Sequence, residues 1–304
     1  LGTTLAGFTP LLLTSIAFAV AAKAGAFNVG VEGEVFLGGI TAAYIGINWT
    51  FLPKPALYVA CFVGAMVVAA AWAFIPAVLR AYYNVNEVCT TILMNTVALY
   101  ITSYLVSGPM SAGTANAQSL PVTVRLYQFM KPSSVNVGIF IAAITVIVII
   151  FMLQKSSWGY KIRTVGLNPT HADYVGIDSK KVFVGAMMLS GMLGGMAGCI
   201  EVLGVHGYFL NNFATGLGSN GMLAALIVKN NMVSTPFMAF FLAVLKSGAM
   251  GMQQSTGVPK SLVDTITAVF IIIATMETAF QFTKKRKKKT EEKKEDKALS
   301  LIHI

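Results

Sequence analysis

Residues 3–22 read TTLAGFTPLLLTSIAFAVAA, and residues 27–34, a few positions on, read FNVGVEGE. The first stretch is uncharged over about the twenty residues that a helix needs to cross the hydrocarbon of a bilayer. The second sets an asparagine, two glycines and two glutamates next to it. Carboxylates are costly in lipid and glycine is a poor helix former, so the pair reads as a first span followed by an unwound stretch. Such a stretch needs protein or a cavity around it. Gly30 and Gly33 are expected to make the break, and Asn28 and Glu32 to face a path or cap the half helices.

The rest of the chain fits a lipid setting. Of 304 residues, 56% are hydrophobic and 11% charged, whereas soluble domains carry roughly 25% charged residues. Mean hydropathy is +0.71. The fold class expected is all-α, a polytopic helical membrane protein. Spans are predicted at 3–22, 34–50, 56–80, 86–107, 137–154, 182–204, 219–229, 233–250 and 262–283. These make about nine membrane segments, some of them broken or half helices. The chain begins at Leu1 rather than Met, so a further N-terminal helix, the tenth, is expected to be missing.

Charge orients the bundle. Lys155, Lys161, Arg163, Lys180 and Lys181 crowd one connection. The tail KKRKKKTEEKKEDK, at 284–297, holds nine of the 22 basic residues. Both are expected to face the cytoplasm, which makes the domains a membrane unit over 1–283 and a basic cytoplasmic tail over 284–304. Contact of the tail with anionic lipid is then expected, and nucleic acid is not an expected partner. An even number of crossings must separate the two basic segments. That count closes only if SNGMLAALIVK, at 219–229, serves as a half helix too short to cross unaided. The last residues, ALSLIHI, fit neither a span nor a solvated tail.

Two connections stand out. Residues 108–136 form a long polar loop on the outer side, either a docking surface or a linker. Residues 156–181, SSWGYKIRTVGLNPTHADYVGIDSKK, contain a compact helix. Asn168 suits its N-cap, Pro169 its first turn and Gly176 its stop. Two turns are too few to be stable alone, so flanking spans or a partner must hold them. Ala172 and Val175 are expected to offer a small apolar face to a shallow groove. In SGMLGGMAG, at 190–198, Gly191 and Gly195, and Gly194 and Gly198, stand four apart, which is close helix packing rather than chemistry.

The chain lacks the glycine-rich phosphate loop ending in Gly-Lys-Ser/Thr, so it does not bind ATP in that way. Cys61, Cys89 and Cys199 sit in apolar segments without metal-like spacing. His171, His206 and His303 fall in unrelated contexts. No cofactor and no catalytic residue are expected on this chain, and an intramembrane enzyme is not the reading.

The blocks KAGAFNVGVEGEVFLGG (23–39), NEVCTTILMNTVALYITSYLVSGP (86–109), GYKIRTVGLNPTHADYVGI (159–177) and SGMLGGMAGCIEVLGV (190–205) resemble, in that order, one family. It is the permease subunits of bacterial nucleoside and simple-sugar ABC importers, relatives of the ribose and branched-chain amino-acid permeases. The match runs from about residue 3 to 283 and is closer to the nucleoside type. The resemblance implies that 159–177 is the coupling helix and its approach, with Arg163, Gly166, Asn168 and Pro169 at motif positions. It implies that Phe27, Asn28, Gly30, Glu32 and Gly33 belong to an interrupted helix beside the path. Family members often have Gln at Glu34, which leaves that carboxylate without an assigned role. The implied partners are a second related permease subunit or a second copy, a cytoplasmic ATPase that holds the ATP and magnesium, and an external substrate-binding lipoprotein. The implied location is a bacterial plasma membrane, with the C-terminus cytoplasmic.

A nucleoside offers hydroxyls, base edges and a flat ring but no charge. Neutral donors and acceptors are therefore the candidates, namely Asn28, Asn95, Thr96 and Asn220, with Phe27 as an aromatic. Glu32 and Glu201 qualify as ionisable groups in spans, either touching substrate or capping helices. The alternatives carried forward are a simple-sugar permease, an ion-coupled secondary carrier in which those carboxylates couple the ion, and a membrane scaffold recruiting partners through the tail.

Overall fold

The computed structural model describes residues 1–256 except 115, 131 and 132, together with 265, 268 and 269. The expected span 262–283, apart from those three isolated positions, and the tail 284–304 lie outside the described residues. The chain divides into two units, 1–247 and 248–304, and the packed helices and the candidate site belong to the first.

Ten helices are described: α1 (Gly2–Lys23), α2 (Val31–Asn48), α3 (Lys54–Tyr83), α4 (Glu87–Ser107), α5 (Gly138–Lys155), α6 (Ser157–Leu167), α7 (Pro169–Tyr174), α8 (Ser179–Ile200), α9 (Leu217–Ile227) and α10 (Thr235–Thr256). A π-helical turn, Glu201–His206, continues α8. Among the described residues six of these helices, α8 with its π turn included, are long and apolar enough to cross a bilayer. The protein is a multi-pass helical membrane protein. The one sheet described is a short antiparallel pair, β1 (Gln128–Met130) with β2 (Val135–Asn136).

The centre of the bundle is α8, held by its glycines. A methyl at Gly191 would stand 2.7 Å from the Ala73 Cβ of α3, and one at Gly195 would stand 2.6 Å from Ala69 Cβ. On the neighbouring face, a methyl at Gly194 would stand 2.9 Å from the Glu34 Cβ of α2, and one at Gly198 would stand 2.8 Å from the Gly39 nitrogen. The two four-residue spacings thus serve two different neighbours, α3 and α2. In lipid no hydrophobic effect drives helices together, so this close backbone approach is what dispersion needs.

Two crossings are interrupted, and they run in opposite senses. After α1 the chain climbs alongside α8 without helix: Ala26 packs with Val184 and Met187, and Asn28 bonds to Ser190. α2 begins only at Val31 and continues in the same direction. After α8 the chain turns back at Gly207 (φ +77°) and descends to Leu217, whose carbonyl accepts from the Thr14 hydroxyl, 3.3 Å, halfway along α1. There α9 starts. Its eleven residues give about 16 Å, half a span, and end in 228–232 beside Lys23. The half helix expected at 219–229 is therefore α9 together with an irregular descent.

Basic residues collect at one end of the bundle. Lys23, Arg80, Lys155, Lys161, Arg163, Lys180, Lys181 and Lys229 belong to segments that meet there, whereas Lys54 and Arg125 stand at the other end. Residues 117–126 of the long polar connection pack across that second end. Val122, Val124 and Leu126 alternate inward and are buried. The Val122 N–H donates to the Gly207 carbonyl and the Leu126 N–H to the Leu203 carbonyl (2.9 Å each), and the Arg125 side chain donates to the His206 carbonyl.

Candidate functional site

The start of α2 gathers most of the residues singled out from sequence. Asn28 is the hub. Its amide donates to Glu34 Oε1 (2.9 Å) and to Ser190 Oγ (2.9 Å), and its Oδ1 accepts from the Gly30 N–H (2.9 Å). All four residues are buried. The Asn95 side chain clamps the same stretch onto α4, donating to the Val29 carbonyl (2.9 Å) and accepting from the Gly33 N–H (2.8 Å). An unwound strand inside a bundle leaves backbone groups unpaired, and these two asparagines supply the missing partners.

Several expectations are corrected. Gly33 is not part of the break: it lies inside α2, where a methyl would stand 3.1 Å from the Ala98 Cβ of α4. Gly30 alone ends the unwound stretch, as the N-cap of α2. Phe27 turns into the core, edge-on to Phe18 at 5.0 Å. Thr96 is exposed, turned away from Asn95's contacts, because neighbouring helical residues point about 100° apart. Glu34, left without a role, is 1% exposed and holds Asn28, with its Oε2 lacking a hydrogen-bond partner. Ser190, the third member of that cluster, carries no sequence signal beyond being a polar residue in an apolar run.

Glu32 lies where the N-termini of α2 and α9 meet head to head. The Gly218 backbone abuts it, since a methyl there would stand 2.8 Å from Glu32 Cβ, and Ser219 Oγ donates to Glu32 Oε2 (3.3 Å). Both helix N-termini bring partial positive charge to one place, and the carboxylate offsets both. Asn220, in the first turn of α9, donates to the Gly216 carbonyl. Above this junction an aromatic group closes in: Phe213 is edge-on to Phe36 (5.7 Å), to Phe209 (5.2 Å) and to His206 (5.9 Å). Asn211 accepts from Ser103 of α4 (2.7 Å). These residues escape sequence reasoning because they come from an irregular segment with no period.

Glu201 stands apart from the α2 cluster, in the π turn, buried and 3.7 Å from His206 Nε2. A π turn widens the helix and re-aims its side chains.

At the basic end, α7 forms as the caps dictate. Asn168 Oδ1 accepts from the His171 N–H (3.0 Å), Pro169 opens the helix and Gly176 (φ +81°) closes it. Asp173 accepts from the Ser179 N–H and hydroxyl, both 3.0 Å, fastening α7 to α8. The Lys181 ammonium and backbone hold the Asp178 carboxyl below the usual range. Ala172 does not face outward as expected. It is fully buried with Ile162, Val165 and Ile177, because a two-turn helix must spend its small residue on its own anchorage. Outward at this knob stand Tyr174 (85% exposed) and Val175 at the end of α7, with Leu167 (88%) at the end of α6. Arg163 donates to the Gln154 carbonyl (3.3 Å). Gly166 presses its backbone directly on Lys23 and Ala24. Among the described residues no group of His, Cys, Asp and Glu could hold a metal.

Comparison with known proteins places this architecture. Residues 1–275 match the family described as branched-chain amino acid transport system / permease component. The chain is 33% identical to the guanosine ABC transporter permease protein NupP of Bacillus subtilis, over 95% of this chain and 84% of that one. It is 30% identical to the nucleoside ABC transporter permease protein NupB of Lactococcus lactis, over 89% and 78%. It is 33% identical to the glucose ABC transporter permease protein TsgB13 of Haloferax volcanii, over 86% and 72%. Among solved structures, PsaBC from Streptococcus pneumoniae in complex with Fab shares the fold, with TM-score 0.52 at 14% identity over 88% of this chain and 89% of that one.

Proposed function

The chain belongs to the branched-chain amino acid transport system / permease component family, and on that premise we propose that it forms the translocation path for nucleosides in an ATP-driven importer. A separate cytoplasmic ATPase supplies the energy, a second permease subunit or copy completes the path, and an external binding protein delivers substrate. The chain itself is a transport subunit rather than an enzyme. The single observation that carries this reading is the head-to-head meeting of α2 and α9 beneath the Phe36–Phe213 aromatics. Glu32, Ser219 and Asn220 gather at that meeting, with the Phe36 and Phe213 rings nearby, which supports a reading in which polar groups take hydroxyls and base edges and the flat rings take a base. The basic end faces the cytoplasm in this reading, which puts the C-terminus there too.

Glu32→Gln keeps the shape and removes the charge. It is expected to raise the KM for guanosine uptake about tenfold, the worth of a hydrogen bond to a charged group, with little change in protein level. An unchanged KM with lowered thermal stability would make Glu32 a helix-end cap only. A sugar substrate is the second reading, favoured by the glucose permease relative. Labelled guanosine uptake separates the two: unlabelled adenosine competes and ribose or glucose in hundredfold excess does not. If glucose alone competes, the sugar reading wins. Uptake that stops when the proton gradient is removed at constant ATP would instead support an ion-coupled carrier.

Coupling to the ATPase rests on the α7 knob. Its exposed Tyr174 and Val175 replace Ala172 as the contact face. Tyr174→Asp is expected to lower both uptake and co-purification of the ATPase about tenfold, a typical cost for an exposed aromatic anchor at an interface. Protein level should stay normal, and intact co-purification would contradict the assignment.

A further inference from the structure

Two cavities open side by side at the basic end of the bundle, of about 480 Å³ and 430 Å³, and share Gln154 and Arg163 as their common wall. Lys155 and Lys161 line the first, Lys23 and Lys229 the second. Among the described residues lining them there is no carboxylate. In the first cavity Lys155, Lys161 and Arg163 stand together, and neighbouring cations repel one another, an arrangement that an anion relieves.

The neighbouring surface indicates which kind of anion. α5 exposes an apolar stripe of Phe140, Ile144, Ile147 and Phe151, spaced three or four residues apart on one helix face. The next position of the same stripe is Lys155, a wall of the first cavity. From Phe140 to Lys155 a ligand passing down α5 therefore meets apolar side chains for about 22 Å, then positive charge. That run is longer than one leaflet of a bilayer whose hydrocarbon is about 30 Å thick, so it covers the length of an acyl chain from that leaflet. Tyr160, in the first cavity, adds an amphipathic ring of the kind found at membrane interfaces.

We propose that the first of these cavities binds the phosphate headgroup of an anionic phospholipid from the cytoplasmic leaflet, its acyl chains lying on the exposed stripe of α5. A free phosphate would use the same cations but has no use for the stripe. The site adjoins α6 and α7, so a bound lipid braces the loop that faces the ATPase.

The test uses the assembled transporter, extracted in mild detergent and examined by native mass spectrometry for retained phosphatidylglycerol. The expected result is retention by the wild type. Retention falls about 30-fold in Lys155→Gln/Lys161→Gln, from the loss of two juxtamembrane charges, and returns in Lys155→Arg/Lys161→Arg. Equal retention by wild type and the Gln variant overturns the proposal. Displacement of the lipid by millimolar inorganic phosphate would mean a site for free anions and would overturn it as well. So would loss of the ATPase subunit from the Gln variant with lipid retention unchanged, which would make the cavity a protein-docking surface. If the Gln variant fails to assemble, the wild type decides: reconstituted in mixed vesicles, it must enrich labelled phosphatidylglycerol over phosphatidylcholine, and no enrichment refutes the site.

Discussion

Gly198→Leu is expected to remove the protein from the membrane fraction. At this position α8 meets α2 backbone to backbone, and even a methyl would press on the Val35 carbonyl and stand 2.8 Å from the Gly39 nitrogen. Neither neighbour is the flexible end of a side chain, so relief requires that whole helices separate. Overpacking of an ordinary core costs about 1–3 kcal/mol. Here the separated helices would also lose the contacts along Gly194, and the cost should lie at or above the upper end of that range. Gly7→Ala is the control, since a methyl there has nothing within 4 Å. It should leave the thermal midpoint in detergent unchanged or raised, alanine being about 1 kcal/mol the better helix former. Gly198→Leu with a wild-type midpoint would mean that the α2–α8 contact is loose in solution.

Asn28→Leu is the second large effect. The substitution strands three buried groups at once: the Glu34 carboxylate, the Ser190 hydroxyl and the Gly30 N–H. Each costs about 1–3 kcal/mol when left without a partner, more for a charge. The variant should lose most of its folded yield and all of its transport. Removing the second partner as well, in Asn28→Leu/Glu34→Met, should recover part of the yield, because replacing both members of a buried pair is far cheaper than orphaning one. The recovery stays partial while Ser190 and Gly30 remain unpaired. If the single and double variants are equally stable, water reaches the cluster and Asn28 is not its hub.

One physical line separates the features legible in the sequence from those that were not. Long apolar runs announce spans because lipid filters composition, and the Asn168–Pro169–Gly176 punctuation announces α7 because caps are local chemistry. The break after α1 was legible for the same reason: Asn and Gly in an apolar setting have few other uses. The direction of a side chain was not. Glu32 and Glu34 are two apart, so on a helix they point about 200° from each other, one to α9 and the other to α8. No local rule tells which of them is enclosed. Asn95 and Thr96 divide in the same way, the first into the bundle and the second away from it. The aromatic group around Phe213 was invisible because its members come from α2, the π turn and an aperiodic descent, brought together only by the fold.

The contact between Gly166 and the end of α1 has a mechanical consequence. A methyl at Gly25 would stand only 3.6 Å from the Gly166 Cα, so α6 leans on the chain at the place where it stops being helical. Three residues later stands Asn28, the knot that fixes α2 to α8. Any shift of α6 is therefore felt first at the non-helical stretch between α1 and α2, next to the knot that holds α2 on α8.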